Sequence, residues 1–140
     1  MFTKDTTIKE IFAQAAQDYK NNNFKSAEKL YKEILKKNPN HFDSIVLLGA
    51  LSAQSGKLEK AKQFFQKAIQ INPNSSNVNY NLGLTFKELG EYKKAVNYYE
   101  KAIKIKPEYF IAHNNLGIVF YKLGEFQKAK HCYERAIQIN

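Results

Sequence analysis

Three histidines and one cysteine are the side chains in this sequence that are best suited to metal binding or nucleophilic catalysis. His41 and His113 lie far apart along the chain, whereas His131 and Cys132 are adjacent. A structural zinc site needs ligands at characteristic short spacings, and these four residues do not have them. Adjacent residues of a helix point about 100° apart, so His131 and Cys132 do not form a catalytic pair there. We therefore expect no metal, no catalytic centre and no enzymatic activity.

The glycines do not form a phosphate-binding loop of the Gly-x4-Gly-Lys type. They follow a structural period instead, so no cofactor is expected. Five columns of residues recur at one constant step along the chain: Gly49, Gly83 and Gly117; Gly56, Gly90 and Gly124; Pro39, Pro73 and Pro107; Ala27, Ala61, Ala95 and Ala129; and Tyr31, Phe65, Tyr99 and Tyr133. A fixed period of about 34 residues indicates stacked repeats of one small structural unit.

Each repeat has the pattern of two helices, most clearly between residues 76 and 109. Apolar and small residues recur there at helical spacing, first Leu82, Gly83 and Phe86, and then Ala95, Tyr99, Ala102 and Ile103. Gly90 suits the left-handed residue that ends a helix, Asn22 takes its place in the first repeat, and Pro107 stops the second helix. We expect Gly83 to let the two helices approach closely, and the aromatic side chains to fill the space between neighbouring repeats. The segment Thr7–Glu10 is a capping box that begins the first helix.

These columns resemble the tetratricopeptide repeat, which has the same period and carries a Leu-Gly pair, an aromatic residue, Ala, a second aromatic residue and Pro in this order. The third repeat carries the pattern as Leu82, Gly83, Phe86, Ala95, Tyr99, Ala102 and Pro107. The first repeat departs most, with Gln14 and Ala15 for Leu-Gly and Asp18 for the aromatic residue. The resemblance implies an all-α, right-handed α-solenoid of helix-turn-helix repeats that forms one domain over residues 1–140. Its four repeats would span approximately 8–41, 42–75, 76–109 and 110–140.

The resemblance also implies a concave groove, whose wall is made by the first helix of each repeat, and it predicts a protein or peptide ligand. Residues about 100° to 200° away from the core face should line this wall. They are Phe12, Ala16, Tyr19, Val46, Leu47, Ala50, Tyr80, Asn81, Leu84, Asn115, Ile118 and Tyr121. We call them the wall residues; Lys87 has a similar offset. An apolar surface of this kind is typical of a binding site, although the same residues could instead pack against one another.

Two known modes of ligand binding in this family can be compared with the wall. The carboxylate clamp of the co-chaperone members is absent, because Phe12, Ala16, Asn77 and Asn81 occupy its positions. Asn81 and Asn115 occupy equivalent places in successive repeats and resemble the asparagine ladder of O-linked GlcNAc transferases. An asparagine amide can both donate to and accept from a peptide backbone. Asparagine is also common at this position of the family for reasons unrelated to binding.

Composition and charge favour a cytoplasmic protein. No apolar run reaches the roughly 20 residues that span a bilayer, the first residues lack a signal-peptide pattern, and there is one cysteine. The net charge is +9, but only one of the 22 basic residues is an arginine and the lysines are spread along the chain. A solvated lysine-rich surface is therefore favoured over nucleic-acid binding. We expect no membrane partner.

The last repeat should expose an apolar face, because a solenoid needs a polar terminal cap and none follows Ile139. Three explanations remain open: the chain is the first part of a longer protein, it forms a homo-oligomer, or the face is tolerated by solvent. Self-association would use Tyr133, Ile137 and Ile139. Two hypotheses for function result. The chain is a scaffold that binds partner polypeptides, or it is the recognition or oligomerisation arm of a larger enzyme such as a glycosyltransferase.

Overall fold

A computed structural model describes residues 6–139, and these form eight α-helices and no strand. The helices are α1 (Ile8–Lys20), α2 (Phe24–Lys37), α3 (Phe42–Gln54), α4 (Leu58–Ile71), α5 (Ser76–Glu88), α6 (Tyr92–Ile105), α7 (Phe110–Lys122) and α8 (Phe126–Ile139). The prediction of an all-α fold built from helix pairs is confirmed. Residues 1–5 and 140, at the limits of the predicted domain, lie outside the described residues. None of the described helices is long and apolar enough to cross a membrane.

The chain divides into two compact units, Met1–Ile71 and Asn72–Asn140. The first unit contains α1 to α4 and the second contains α5 to α8. In each unit the two helices of a repeat pack against each other, and the second helix of one repeat packs on the first helix of the next. In the second unit α5 also contacts α7 directly. This contact places the first helices of two repeats side by side.

The ends of the first helices have the geometry that the sequence predicted. Gly56, Gly90 and Gly124 have φ angles of 76°, 77° and 77°, and Asn22 has a φ of 61°. Glycine adopts this left-handed conformation at little cost, and asparagine is the side chain that tolerates it best. Thr7 is the N-cap of α1, and its Oγ1 accepts a hydrogen bond from the backbone N–H of Glu10 at 3.2 Å, as the predicted capping box requires.

The rings of the aromatic column pack against the first helix of their own repeat, a contact that the sequence analysis did not predict. A Cβ atom added to Gly83 would lie 2.6 Å from Cδ1 of Tyr99, which belongs to the same repeat. Gly49 has the same relation to Phe65. The physical reason is that glycine leaves a flat gap on the first helix, and the ring of the second helix fills it. Each glycine of the first helix therefore packs against the aromatic ring of the second helix in the same repeat.

Candidate interaction wall

The wall residues of the first unit lie on α1 and α3, and all except the exposed Ala16 are half-buried. They are Phe12, Ala16, Tyr19, Val46, Leu47 and Ala50. The ring of Phe12 lies 5.8 Å from that of Tyr31 and 5.5 Å from that of His41, measured between centroids. Tyr19 packs edge-on against Phe24 at 5.4 Å. These side chains therefore stabilise the unit and also present part of their surface to solvent.

The wall of the second unit contains a chain of hydrogen bonds that joins α5 to α7. The Nζ atom of Lys87 donates to Oδ1 of Asn115 at 2.9 Å. The Nδ2 atom of Asn115 donates to the hydroxyl oxygen of Tyr80 at 3.3 Å and to the carbonyl of Ile111 at 3.0 Å. Both ends of the Asn115 amide are therefore occupied, which fixes the orientation of its side chain.

Tyr80 packs against two other tyrosine rings. Its centroid lies 5.8 Å from that of Tyr99 and 5.1 Å from that of Tyr109. Burial raises the pKa of Tyr80 above its ordinary value, although the hydrogen bond from Asn115 opposes this shift. Burial likewise raises the pKa of Tyr109. Both hydroxyls are therefore neutral at physiological pH and serve as hydrogen-bonding groups rather than charges.

Lys87 places a positive charge on this wall. Only 18% of its side chain is exposed, and its Nζ lies 3.6 Å from the Glu88 carboxylate, whose side chain is 54% exposed. A charge close to a low-dielectric surface interacts more strongly with a ligand than a fully solvated one does. The neighbouring wall residues Leu84 and Ile118 are half-buried. This part of the wall therefore combines one ordered ammonium group with an apolar surface.

Tyr121 is the most exposed wall residue of the second unit, at 60% of its surface, and it packs edge-on against Phe126 at 5.3 Å. The two asparagines that the sequence treats as equivalent differ in the structure. Asn115 is fully engaged, whereas the half-buried side chain of Asn81 makes no hydrogen bond within residues 6–139. Asn81 is thus the asparagine whose amide is available to a ligand.

Sequence reasoning placed Lys87 near the wall but missed its bond to Asn115, and it missed Tyr109 completely. The residues at the place of Lys87 in the preceding and following repeats are Ala53 and Tyr121, so no repeated column marks a cation there. Tyr109 follows Pro107 in the loop before α7, outside the helical pattern from which the wall was predicted. Tertiary contact alone brings these two residues to Tyr80 and Asn115.

His41 and His113 make hydrogen bonds that stabilise the fold. The Nδ1 atom of His41 lies 2.8 Å from the hydroxyl of Ser44 and accepts from the backbone N–H of that residue at 3.3 Å, where it caps α3. The Nε2 atom of His113 donates to the carbonyl of Pro107 at 2.9 Å. Among the residues that the structure describes, no group of three or more His, Cys, Asp or Glu side chains could hold a metal ion.

Cys132 is buried, and burial followed by the nearby Glu100 carboxylate raises the pKa of its thiol. A raised pKa keeps the thiol protonated, and the thiol is a far weaker nucleophile than the thiolate. The sequence indicated that His131 and Cys132 point apart. The structure shows that both nevertheless line one cavity, together with His113.

The residues predicted for self-association differ in exposure. Ile137 is 74% exposed and Ile139 is half-buried. Tyr133 is also half-buried, because its ring fills the gap at Gly117, where an added Cβ would lie 2.7 Å from Cε1. Phe110 and Ile111 of α7 are 40% and 41% exposed and border the same concavity as Ile137.

Paired helices that recur at a constant step, with a glycine column facing an aromatic column, define a helical-repeat protein. Family comparisons agree: residues 84–124 match the "TPR repeat" family, residues 110–140 match "Tetratricopeptide repeat", and residues 20–102 match "Anaphase-promoting complex, cyclosome, subunit 3". The chain belongs to the tetratricopeptide repeat family. The sequence matches no curated protein.

Solved structures of MamA share this fold. The crystal structure of MamA is 21% identical, with a TM-score of 0.91 over 97% of this chain and 80% of that one. MamA from Desulfovibrio magneticus RS-1 is 18% identical, with a TM-score of 0.90 over 97% of this chain and 77% of that one. MamA AMB-1 is 19% identical, with a TM-score of 0.88 over 99% of this chain and 82% of that one. At these identities the likeness concerns the fold alone.

Proposed function

We propose that this protein is a non-catalytic scaffold that binds a polypeptide segment along its wall. Family membership supports a role in protein interaction. The observation that carries the finer proposal is the ordered contact of Lys87, Asn115 and Tyr80 on the wall of the second unit. An ordered polar group beside half-exposed apolar residues is the arrangement that fixes the orientation of a bound chain.

Three kinds of contact would hold the segment. Leu84 and Ile118 provide the apolar surface, and the exposed ring of Tyr121 provides an aromatic anchor. The free amide of Asn81 bonds to the backbone of the segment, as an asparagine ladder would. Lys87 attracts a carboxylate. The segment should therefore contain an acidic residue next to apolar ones.

A peptide selection tests this proposal. The full chain is immobilised, peptides are selected from a random library, and the affinity of the enriched peptides is measured by calorimetry. We expect enrichment in Asp or Glu beside apolar residues. We also expect Leu84→Lys to weaken binding by about tenfold or more, since it places a charge in the apolar surface. Lys93→Gln, an exposed change on α6, is the matched control and should leave the affinity unchanged.

The same peptides separate the roles of the polar residues. Asn81→Ala should weaken all enriched peptides to a similar extent, because it removes a contact to the backbone. Lys87→Gln should weaken the acidic peptides more than variants of them in which Asp is replaced by Asn. Selected peptides that bind Leu84→Lys and Asn81→Ala as tightly as the original chain would overturn the proposed wall. Circular dichroism of each variant verifies that it is folded.

We also propose that the apolar face of α7 and α8 supports self-association. Ile137 is 74% exposed there, beside Phe110 and Ile111. Light scattering over a range of concentrations should detect a dimer or larger species, and changing Ile137 and Ile139 to Lys should abolish it. A chain that stays monomeric at high concentration excludes this second role and leaves the wall as the working surface.

A further inference from the structure

A cavity of about 610 Å³ lies between α6, α7 and α8, on the side of α7 that faces away from the wall. Leu116 and Phe120 of α7 form its apolar floor, together with Ile103 of α6 and Cys132 of α8. Ligand cavities in proteins usually measure between about 300 and 1,000 Å³. The volume is thus sufficient for a small molecule with one or two rings.

The third repeat shows what this cavity lacks. There, Phe86 stacks on Tyr98 with centroids 5.4 Å apart and an angle of 11° between the rings, and Nζ of Lys94 lies 5.4 Å from the Phe86 centroid. In the fourth repeat Phe120 and Lys128 occupy the equivalent places, with Nζ 5.5 Å from the ring centroid. The place of Tyr98, however, is taken by Cys132. The fourth repeat therefore keeps the phenylalanine and the lysine but has no aromatic ring at the place of Tyr98, and Phe120 is 8% exposed against 2% for Phe86.

The first unit fills the equivalent place as well. Phe64, which stands at the place of Cys132 two repeats earlier, is half-buried and packs against the hydrophobic core of that unit together with Leu35. A cysteine side chain is much smaller than Phe or Tyr, and protein interiors are packed closely enough for that difference to leave a space. Cys132 is the smallest member of this column, which otherwise contains Leu30, Phe64 and Tyr98, and the cavity lies beside it.

The rim of the cavity is polar and on balance positive. Lys104 and Lys128 border it with one carboxylate, that of Glu100, and with the exposed imidazole of His131. Phe120 is 8% exposed and contributes part of its ring to the cavity lining. A flat ring is the group that suits this lining, because aromatic rings attract one another in stacked or tilted arrangements. The two ammonium groups favour a negative substituent on that ring.

We propose that this cavity binds a small aromatic anion, whose ring stacks on Phe120 in the place that Tyr98 takes in the third repeat. Its negative group lies beside Lys104 and Lys128. This site is separate from the wall, so the protein could bind a polypeptide and a small molecule at the same time.

Calorimetric titration of the full chain with 2-naphthoate tests the proposal. We expect one molecule to bind per chain. Cys132→Tyr, which restores the residue type of the third repeat, should weaken binding by about tenfold or more because the new ring occupies the site. Cys132→Ala is the matched control: it keeps the space, removes the sulfur and should leave binding intact. Circular dichroism should show that both variants are folded.

Two further measurements keep the test decisive even if Cys132→Tyr does not fold. Bound 2-naphthoate should slow alkylation of Cys132, the single cysteine of the chain, in the unmodified protein. The neutral 2-naphthylmethanol and the cationic 2-naphthylmethylamine should bind more weakly than the carboxylate. The proposal is overturned if 2-naphthoate shows no saturable binding, if it leaves alkylation unaffected, if a folded Cys132→Tyr variant binds it equally, or if the alcohol or the amine binds as tightly as the carboxylate.

Discussion

At the scale of single residues, the hydroxyl of Tyr99 has an unusual environment. Within the part of the chain that the structure describes, it is a buried side-chain oxygen without a hydrogen-bond partner. Its ring fits tightly against Gly83, as the ring of Phe65 fits against Gly49 in the second repeat. The ring is therefore required for packing, whereas the hydroxyl loses its bonds to water without replacement. Burial correspondingly raises the pKa of Tyr99 well above its ordinary value.

Replacing Tyr99 with Phe should stabilise the protein. Leaving a buried polar group unsatisfied costs about 1–3 kcal/mol, and the substitution removes that group without changing the ring. Urea unfolding followed by circular dichroism measures the difference. Tyr133→Phe is the matched control, since Tyr133 packs against Gly117 in the same manner but is half-buried, and it should change stability by less than about 0.5 kcal/mol. Destabilisation by Tyr99→Phe would indicate that a buried water binds the hydroxyl.

At the scale of the helical element, the end of each first helix depends on one left-handed residue. Gly90 follows α5 with a φ of 77°, and a Cβ added there would meet no atom within 4 Å. A substitution at Gly90 therefore reports on backbone conformation alone. Gly90→Ala should cost about 1–2 kcal/mol of unfolding free energy. Gly90→Asn should cost less, because Asn22 adopts a φ of 61° at the equivalent place.

Gly83, which lies within α5, differs from Gly90 because it is required for packing and not for backbone conformation. Its helical backbone suits any residue, but an alanine Cβ would lie 2.6 Å from the Tyr99 ring. The penalty of Gly83→Ala is therefore a packing penalty, and it should be smaller in a background where Tyr99 is replaced by Leu. The penalty of Gly90→Ala should be the same in both backgrounds. For Gly90 itself, an equal loss of unfolding free energy in Gly90→Ala and Gly90→Asn would contradict the explanation from its left-handed backbone.

The elements were predictable from sequence because each is marked by several repeated residues. The left-handed positions, the first-helix cap at Thr7 and the core face of α5 all depend on local or periodic signals. The contacts that single out one repeat were not predictable. The bond between Lys87 and Asn115 joins two different repeats, and the cavity beside Phe120 lies where the fourth repeat has Cys132 in place of an aromatic ring. Such features appear only when the repeats are compared in three dimensions.

At the scale of the whole molecule, the net charge of +9 has little influence on the fold. The ion pairs among the described residues join residues close together in sequence, such as Lys32 with Glu28 at 2.6 Å and Lys94 with Glu91 at 2.8 Å. Exposed pairs of this kind contribute about 0–1 kcal/mol each. The ion pairs of the lysine surface therefore add little to the stability of the fold.

The dependence of stability on pH should come from tyrosines and the cysteine. Burial raises the pKa of Tyr31, Tyr80, Tyr99 and Tyr109 above 10.0 and that of Cys132 above 9.0. These groups are neutral when protonated, so the folded state retains protons that the unfolded state releases once the pH exceeds those ordinary values. Stability is then fully present below about pH 9 and falls as the pH rises further.

A lowered pKa, which would make stability fall at acidic pH, is resolved among the described residues for Glu28 and has a small effect. The hydrogen bond from Lys32 lowers the pKa of the Glu28 carboxyl, which stabilises the fold above pH 4.5 and is lost below it, but this pair is largely exposed. Urea midpoints measured between about pH 6 and 11 should therefore be level at first and then decline. Tyr99→Phe removes the group with the largest shift, so its decline should be shallower than that of the original chain. Parallel declines would show that Tyr99 does not ionise on unfolding, and that another group sets the alkaline limit.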